Sequence, residues 1–277
     1  MKKIKRILKK IVGKKIYVDI STISDGQLLK DKCVVITGGA EGIGAAIAKK
    51  CLFQGATVLV TGRNEAKLKK FVENTKGENE NNLYYLVWDI SECAIIEAKF
   101  EQILNYLGKI DIWINNAGIY RNVDYSSCGL GEWDEIMATN IRGPYFATNR
   151  VVKYFKENKV RGTILNIASE TGRVASTNPY GFSKNMLMQY TEGLAVELVK
   201  YGIRANAIAP GGVATKIAGK KNDDNLSFPA IGGRLITAEE IAEIAIFLIS
   251  PTSVCINGQI LFANEGNTLV IPSANIY

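Results

Sequence analysis

The sequence predicts an α/β protein built on a doubly wound parallel sheet of about seven strands in a single domain. Two observations carry this expectation. Seven short apolar runs alternate with longer stretches of helical periodicity, and strands of that buried type belong in a sheet covered by helices on both faces. No Pro- or Gly-rich linker divides the alternating region. Residues 1–29 therefore read as a basic amphipathic extension and residues 30–277 as one α/β domain.

The runs are Cys33–Thr37 (CVVIT), 57–61 (TVLVT), 83–88 (LYYLVW), 110–114 (IDIWI), 163–167 (TILNI), 204–209 (RANAIA) and 259–263 (QILFA), each short and apolar enough for a covered strand. Helical patterns occupy 43–54, 65–75, 92–107, 133–158, 180–200 and 238–249.

Composition narrows the chemistry. The chain has 277 residues, 47% of them hydrophobic and 22% charged, which are ordinary globular values. No apolar run approaches the ~18 residues of a membrane-crossing helix. There is no histidine, which excludes Ser-His and Cys-His catalysis and removes the commonest metal ligand, so no metal is expected. Proton transfer is left to carboxylates, Lys, Tyr or Cys. The five cysteines are scattered and include no C-x-x-C pair, as expected of reduced, mostly buried thiols in a cytoplasmic protein.

The net charge of +7 is concentrated in the tail. Lys2, Lys3, Lys5, Arg6, Lys9, Lys10, Lys14 and Lys15 carry eight positive charges, and the remainder balances 27 acids against 26 bases. Wound as a helix at about 100° per residue, residues 2–15 gather Ile4, Ile7, Leu8, Ile11 and Val12 within roughly 140°. The tail lacks the apolar core of a secretory signal, and its lysines argue against a mitochondrial presequence. Two readings stand: peripheral contact of residues 1–16 with an anionic membrane, or a solvated tail. A nucleic-acid partner is disfavoured by the neutral body and by a tail with no aromatic residue before Tyr17.

Ligands of such a sheet bind beyond the carboxyl ends of its strands, so the residues there decide function. After the first strand comes TGGAEGIG (Thr37 to Gly44), where Gly38, Gly42 and Gly44 permit a tight turn and close approach to a pyrophosphate at the next helix's N-terminus. Asp89 and Ile90 follow the third strand, Asn115-Asn116-Ala117-Gly118 the fourth, Ser169 the fifth, and Pro210-Gly211-Gly212 with Thr215 the sixth. Tyr180 and Lys184 lie one helical turn apart, where a cation lowers the ~10 pKa of a phenol. Alone the pair means little, since 12 Tyr and 25 Lys in this chain give about one such spacing by chance.

As an ensemble, TGxxxGxG, NNAG, Asn140, Ser169, Tyr180-x-x-x-Lys184 and Pro210-Gly211 resemble the short-chain dehydrogenase/reductase family over roughly residues 30 to 266. The resemblance implies a Rossmann fold and an oxidoreductase moving a hydride between NAD(P)(H) and a secondary alcohol or ketone. It casts Tyr180 as general acid or base, Lys184 as the cation lowering its pKa and holding the nicotinamide ribose, Ser169 as the hydroxyl orienting the substrate oxygen, and Asn140 as support for a water chain. Gly38, Gly42, Ile43, Gly44, Asp89, Ile90, Asn116, Ala117, Gly118, Tyr180, Lys184, Pro210, Gly211 and Thr215 become cofactor contacts. It further implies a homotetramer or dimer packed through the helices that begin near Trp133 and Tyr180.

At the second strand's end, Thr61-Gly62 replaces the acid that holds a ribose diol, and Arg63 can meet a 2′-phosphate, whereas Glu41 would repel one. NADP(H) is expected over NAD(H). Three departures concern the substrate side. Ser169 and Tyr180 are only eleven positions apart, Glu170 follows the serine, and Asn264-Glu265-Gly266 replaces the usual Asp-Gly-Gly. Glu170 either faces solvent or charges the pocket. Tyr120, Arg121 and Glu170 are the expected substrate contacts, under a lid at residues 216–234. The alternative function is a non-catalytic nucleotide-binding regulator or scaffold.

Overall fold

The computed structural model of the chain describes residues 27–75, 82–215 and 225–269. The amphipathic helix expected at residues 2–15, and part of the expected lid, lie outside these residues. Leu29, assigned by sequence to the extension, is fully buried in the domain core.

The chain alternates strand and helix in the order β1 (Cys33–Thr37), α1 (Gly42–Phe53), β2 (Thr57–Gly62), α2 (Glu65–Thr75), β3 (Leu83–Val87), α3 (Ile96–Leu107), β4 (Ile112–Asn115), α4 (Leu130–Met137), α5 (Gly143–Glu157), β5 (Thr163–Ile167), α6 (Pro179–Leu198), β6 (Arg204–Pro210), α7 (Ala238–Ile249) and β7 (Ile260–Ala263). The strands form one seven-stranded sheet in the order β3-β2-β1-β4-β5-β6-β7, with every pair parallel. Strand order reverses between β1 and β4. A crevice at that switch point receives ligands in open α/β sheets.

Side chains alternate across the sheet and feed two cores. Val34, Ile36 and Val58 pack on one face with Ile47 of α1, Leu68 of α2 and Ile241 of α7. Val35, Leu59 and Trp113 pack on the other with Phe100 of α3, Val151 of α5 and Leu194 of α6. Strands apolar on both faces are what this double cover requires. A line of buried amides crosses the second core. Trp113 Nε1 donates to Asn115 Oδ1 (2.8 Å), Asn115 Nδ2 to Thr148 Oγ1 (2.8 Å) and Asn166 Oδ1 (2.7 Å), and Asn166 Nδ2 to Thr191 Oγ1 (2.8 Å). Each partner satisfies a group whose burial would otherwise be costly, and together they tie β4 and β5 to α5 and α6.

The helix expected at 133–158 is present, but it contains an irregular turn. A π turn, Ala138–Arg142, separates α4 from α5, with the Gly143 N–H reaching back to the Ala138 carbonyl. Pro144 is the cause: it has no N–H for the carbonyl of Asn140, four residues earlier, and its ring crowds that carbonyl. Asn140 lies within this turn and is fully buried. Other boundaries move less; residues 93–95 form a 3-10 turn before α3, and 199–201 another after α6. Of the cysteines only Cys33 and Cys51 are buried, fewer than expected, and all five are free thiols.

Candidate active site

A cavity of ≈ 540 Å³ opens at the switch point. The glycine turn forms its floor. Gly38 has φ of 64°, and a Cβ there would lie 2.9 Å from the Ala117 Cα, so only glycine lets the two strand ends approach. Gly44 is turned away from the cavity: a Cβ would strike the Gly38 carbonyl and the Asn116 amide, so its role is to seat α1 under the turn. The turn is also pinned from β4. Thr37 Oγ1 accepts from the N–H groups of Asn116 and Ala117 (3.0 and 3.1 Å), and Asn116 Nδ2 donates to the carbonyls of Thr37 and Gly38 (3.0 and 2.9 Å). Asn116 therefore serves the cavity through its backbone, with its side chain spent on the turn.

Every other residue expected to contact the cofactor lines this cavity: Gly38, Gly42, Ile43, Arg63, Asp89, Ile90, Ala117, Gly118, Tyr180, Lys184, Pro210, Gly211 and Thr215. Asp89 is held by its own Asx turn, accepting from the N–H and hydroxyl of Ser91 (3.0 and 2.7 Å). Sequence reasoning missed Asn64 and Lys67, which line the same rim beside Arg63. Lys67 Nζ lies 2.6 Å from Glu41 Oε2, so the carboxylate expected to repel a phosphate carries its own counter-ion. The available signal was position: Lys67 falls in the first turn of α2, four residues after Arg63.

At the far end, Ser169 and Tyr180 line the cavity together. Burial pushes the Tyr180 phenol above its ordinary value, the Ser169 hydroxyl pulls it down, and nearby Tyr120 pushes it up. Lys184 is not among the groups that move it, so the lowering expected from that cation does not occur. Lys184 Nζ stands 5.6 Å from the Tyr180 ring centre and donates to the Ile167 carbonyl at 2.8 Å. Burial pushes this ammonium down to about 8, because a low-dielectric site penalises the charge.

Asn140 lies behind the wall. Its amide grips the Ile119 backbone on both sides, accepting from N–H (2.8 Å) and donating to the carbonyl (3.0 Å), and also donates to Ser183 Oγ (3.1 Å). Ser183 in turn donates to the Tyr180 carbonyl (2.8 Å). Asn178, another residue missed, caps α6: its Oδ1 accepts from the Tyr180 N–H (2.8 Å) while its Nδ2 donates to the carbonyls of Arg121 (2.9 Å) and Val123 (2.6 Å).

The three expected substrate contacts separate. Tyr120 lines the cavity and meets Tyr180 edge-on, with ring centres 5.3 Å apart. Arg121 does not line it; its guanidinium pairs with Glu135 at 2.7 Å. Glu170 neither faces solvent freely nor charges the cavity, because its carboxylate is held by Asn264 and Asn267 beyond β7. Within the expected lid, residues 225–234 are described: Leu226 is buried against Ala214 and Leu235, and Ser227 bridges to Arg234.

A glycine turn at the switch point of a parallel sheet, sharing one cavity with Ser169, Tyr180 and Lys184, has the form of a nucleotide site in an α/β protein. A family model described as short chain dehydrogenase matches residues 32–226. The 3-oxoacyl-(acyl-carrier-protein) reductase FabG of Vibrio harveyi is 33% identical over 249 residues, 87% of this chain and 99% of that protein. Gluconate 5-dehydrogenase of Gluconobacter oxydans is 31% identical over 91% of this chain and 98% of its own. A crystal structure of 3-ketoacyl-(acyl-carrier-protein) reductase from Brucella melitensis complexed with NADH superposes with a TM-score of 0.78 at 31% identity, covering 87% of this chain and all of that one. The chain belongs to the short-chain dehydrogenase/reductase family and is an NAD(P)-dependent oxidoreductase. That membership sets aside the non-catalytic scaffold. Among the described residues, no helix is long and apolar enough to cross a membrane.

Proposed function

We propose that this enzyme moves a hydride between NADP(H) and the carbonyl or hydroxyl carbon of a small secondary alcohol or ketone, with Tyr180 exchanging the proton. The observation that carries this reading is that Ser169, Tyr180 and Lys184 line the same cavity as the glycine turn. A dinucleotide fits the residues present: the turn has no side chain where a pyrophosphate would approach, and the α1 N-terminus opens onto it. The nicotinamide, when bound, supplies or accepts the hydride.

The chain's own residues do the rest. In reduction, Tyr180 Oη gives its proton to the carbonyl oxygen as that oxygen becomes an alkoxide, and Ser169 Oγ hydrogen-bonds the developing charge. In oxidation the proton returns to the phenolate. Burial keeps Tyr180 protonated near neutrality, which favours reduction there. Lys184 gains and loses a proton near pH 8 and is suited to resupply it. A Cβ on Gly118 would lie 3.3 Å from Lys184 Nζ and 3.5 Å from Asn140 Oδ1, so these polar atoms converge behind one glycine, an arrangement that supports a proton path outward.

Arg63 and Lys67 at the β2 end support NADP(H) over NAD(H), although the Brucella relative was crystallised with NADH. Dissociation constants for NADPH and NADH test this, and tighter NADH binding overturns it. Exposed Trp133 on α4, Tyr145 and Phe146 on α5 and Phe182 and Met186 on α6 support a homo-oligomer through these helices, to be tested by light scattering. The charge of residues 1–16 supports a cytoplasmic enzyme in contact with an anionic membrane; equal liposome co-sedimentation without those residues would remove that reading. The deciding experiment is a carbonyl panel including β-ketoacyl thioesters and ketogluconates, with Tyr180→Phe as control. Turnover surviving that change would sink the mechanism.

A further inference from the structure

Ser169 is followed by a 3-10 turn, Glu170–Gly172, that is fastened at each of its residues. The Glu170 carboxylate accepts from Asn264 Nδ2 at 3.0 Å and from Asn267 Nδ2 at 3.0 and 3.1 Å. The Gly172 carbonyl accepts from Asn185 Nδ2 at 2.8 Å, and a Cβ on Gly172 would lie 2.8 Å from the Lys184 carbonyl carbon, so the turn rests on α6 beside the buried lysine. Between these anchors Thr171 folds back on the serine. Its N–H and its hydroxyl both donate to Ser169 Oγ, at 3.3 and 3.0 Å.

A serine hydroxyl has one proton and two lone pairs. With both lone pairs engaged by Thr171, the Ser169 proton is left to point away from the turn, and the cavity on that side is the one that Tyr180 also lines. We infer that Thr171 is a positioning residue that commits the Ser169 hydroxyl to donating toward Tyr180 Oη and the substrate oxygen, while Glu170 and Gly172 hold the turn that carries it. Were the threonine hydroxyl absent, Ser169 could rotate and donate elsewhere, and both the phenolate and the developing alkoxide would lose a donor. The value of this for catalysis rests on the proposed function. The direction of the hydroxyl does not.

Thr171→Val keeps the shape and the backbone N–H but removes the hydroxyl, and Thr171→Ser restores it. In full-length protein labelled with 13Cζ-tyrosine, the resonance missing from Tyr180→Phe reports hydrogen bonding at Tyr180 Oη without any substrate. Thr171→Val is expected to move this resonance in the direction produced by Ser169→Ala and to raise the phenol's titration midpoint by about half a pH unit. Thr171→Ser should return both. Adding Thr171→Val to Ser169→Ala should change nothing further, since the threonine acts through the serine. An unmoved resonance in a folded Thr171→Val protein, or additive shifts in the double variant, overturns the inference. Should Thr171→Val fail to fold, Glu170→Gln, which loosens the same turn from outside, must shift the resonance the same way, and no shift overturns it. Turnover with a β-ketoacyl thioester tests the two claims separately. Loss in Tyr180→Phe with an unmoved Thr171→Val resonance removes the positioning role alone; a moved resonance with surviving Tyr180→Phe turnover removes the mechanism and leaves the positioning.

Discussion

The two ends of the cavity are built from different materials. At the ends of β1 and β4 the walls are backbone: glycines that permit close approach, and carbonyls and N–H groups pinned by Thr37 and Asn116. At the ends of β5, β6 and β7 the site is braced by side chains that hold one another, Thr171 on Ser169, Asn178 on Tyr180, and Asn264 and Asn267 on Glu170. A backbone wall recognises what all dinucleotides share. A side-chain wall can be rewritten residue by residue, so selectivity can change while the nucleotide end stays as it is.

Four changes break or sharpen this contrast. The largest effect should come at the side-chain end, where Tyr180→Phe removes one oxygen and little volume: NAD(P)-linked kcat is expected to fall about 10³-fold with dinucleotide affinity nearly kept, read by steady-state kinetics and cofactor titration. At the backbone end, Gly44→Val drives a side chain into the Gly38 carbonyl and the Asn116 amide, and the dissociation constant for the dinucleotide should rise about 100-fold by fluorescence titration. A small effect there would mean that the turn tolerates side chains and that the contrast is false.

Lys184 offers a third test. Its pKa is lowered from 10.5 to about 8 on folding, so the unfolded chain binds more protons between those values and stability rises with pH across that window. Below pH 8 the burial penalty is fully present. Lys184→Met removes it but strands the Ile167 carbonyl, for a net gain of about 2 kcal/mol at pH 7 that fades toward pH 10.5. Urea denaturation at pH 7, 8.5 and 10 checks the trend, and a pH-independent difference would refute it. The smallest effect concerns a side-chain pair on the nucleotide rim: Lys67→Ala should weaken NADPH about tenfold and leave NADH unchanged, since only the former brings a phosphate to the Arg63–Lys67 edge.

The same contrast explains how much could be read before the structure. The glycine turn and the strand ends were legible because backbone constraints leave local signatures: glycine stands where the chain must pass close to Ala117, and strand ends follow apolar runs. The π turn at Asn140 was missed because the helical period ran through it, although Pro144 was its mark. Arg121 and Glu170 were placed by chain proximity to the site, and each turned to a partner, Glu135 or the Asn264–Asn267 pair, that only tertiary structure brings near. Lys67 was overlooked because its pairing with Glu41 joins two different crossovers.

The Glu170 brace also ties the serine turn to the far end of the chain. Its partners lie 94 and 97 residues further along the chain. A chain ending at β6 would carry the whole serine turn without the two amides that hold its carboxylate. The geometry beside the serine therefore depends on the edge strand, although no residue of that strand lines the cavity.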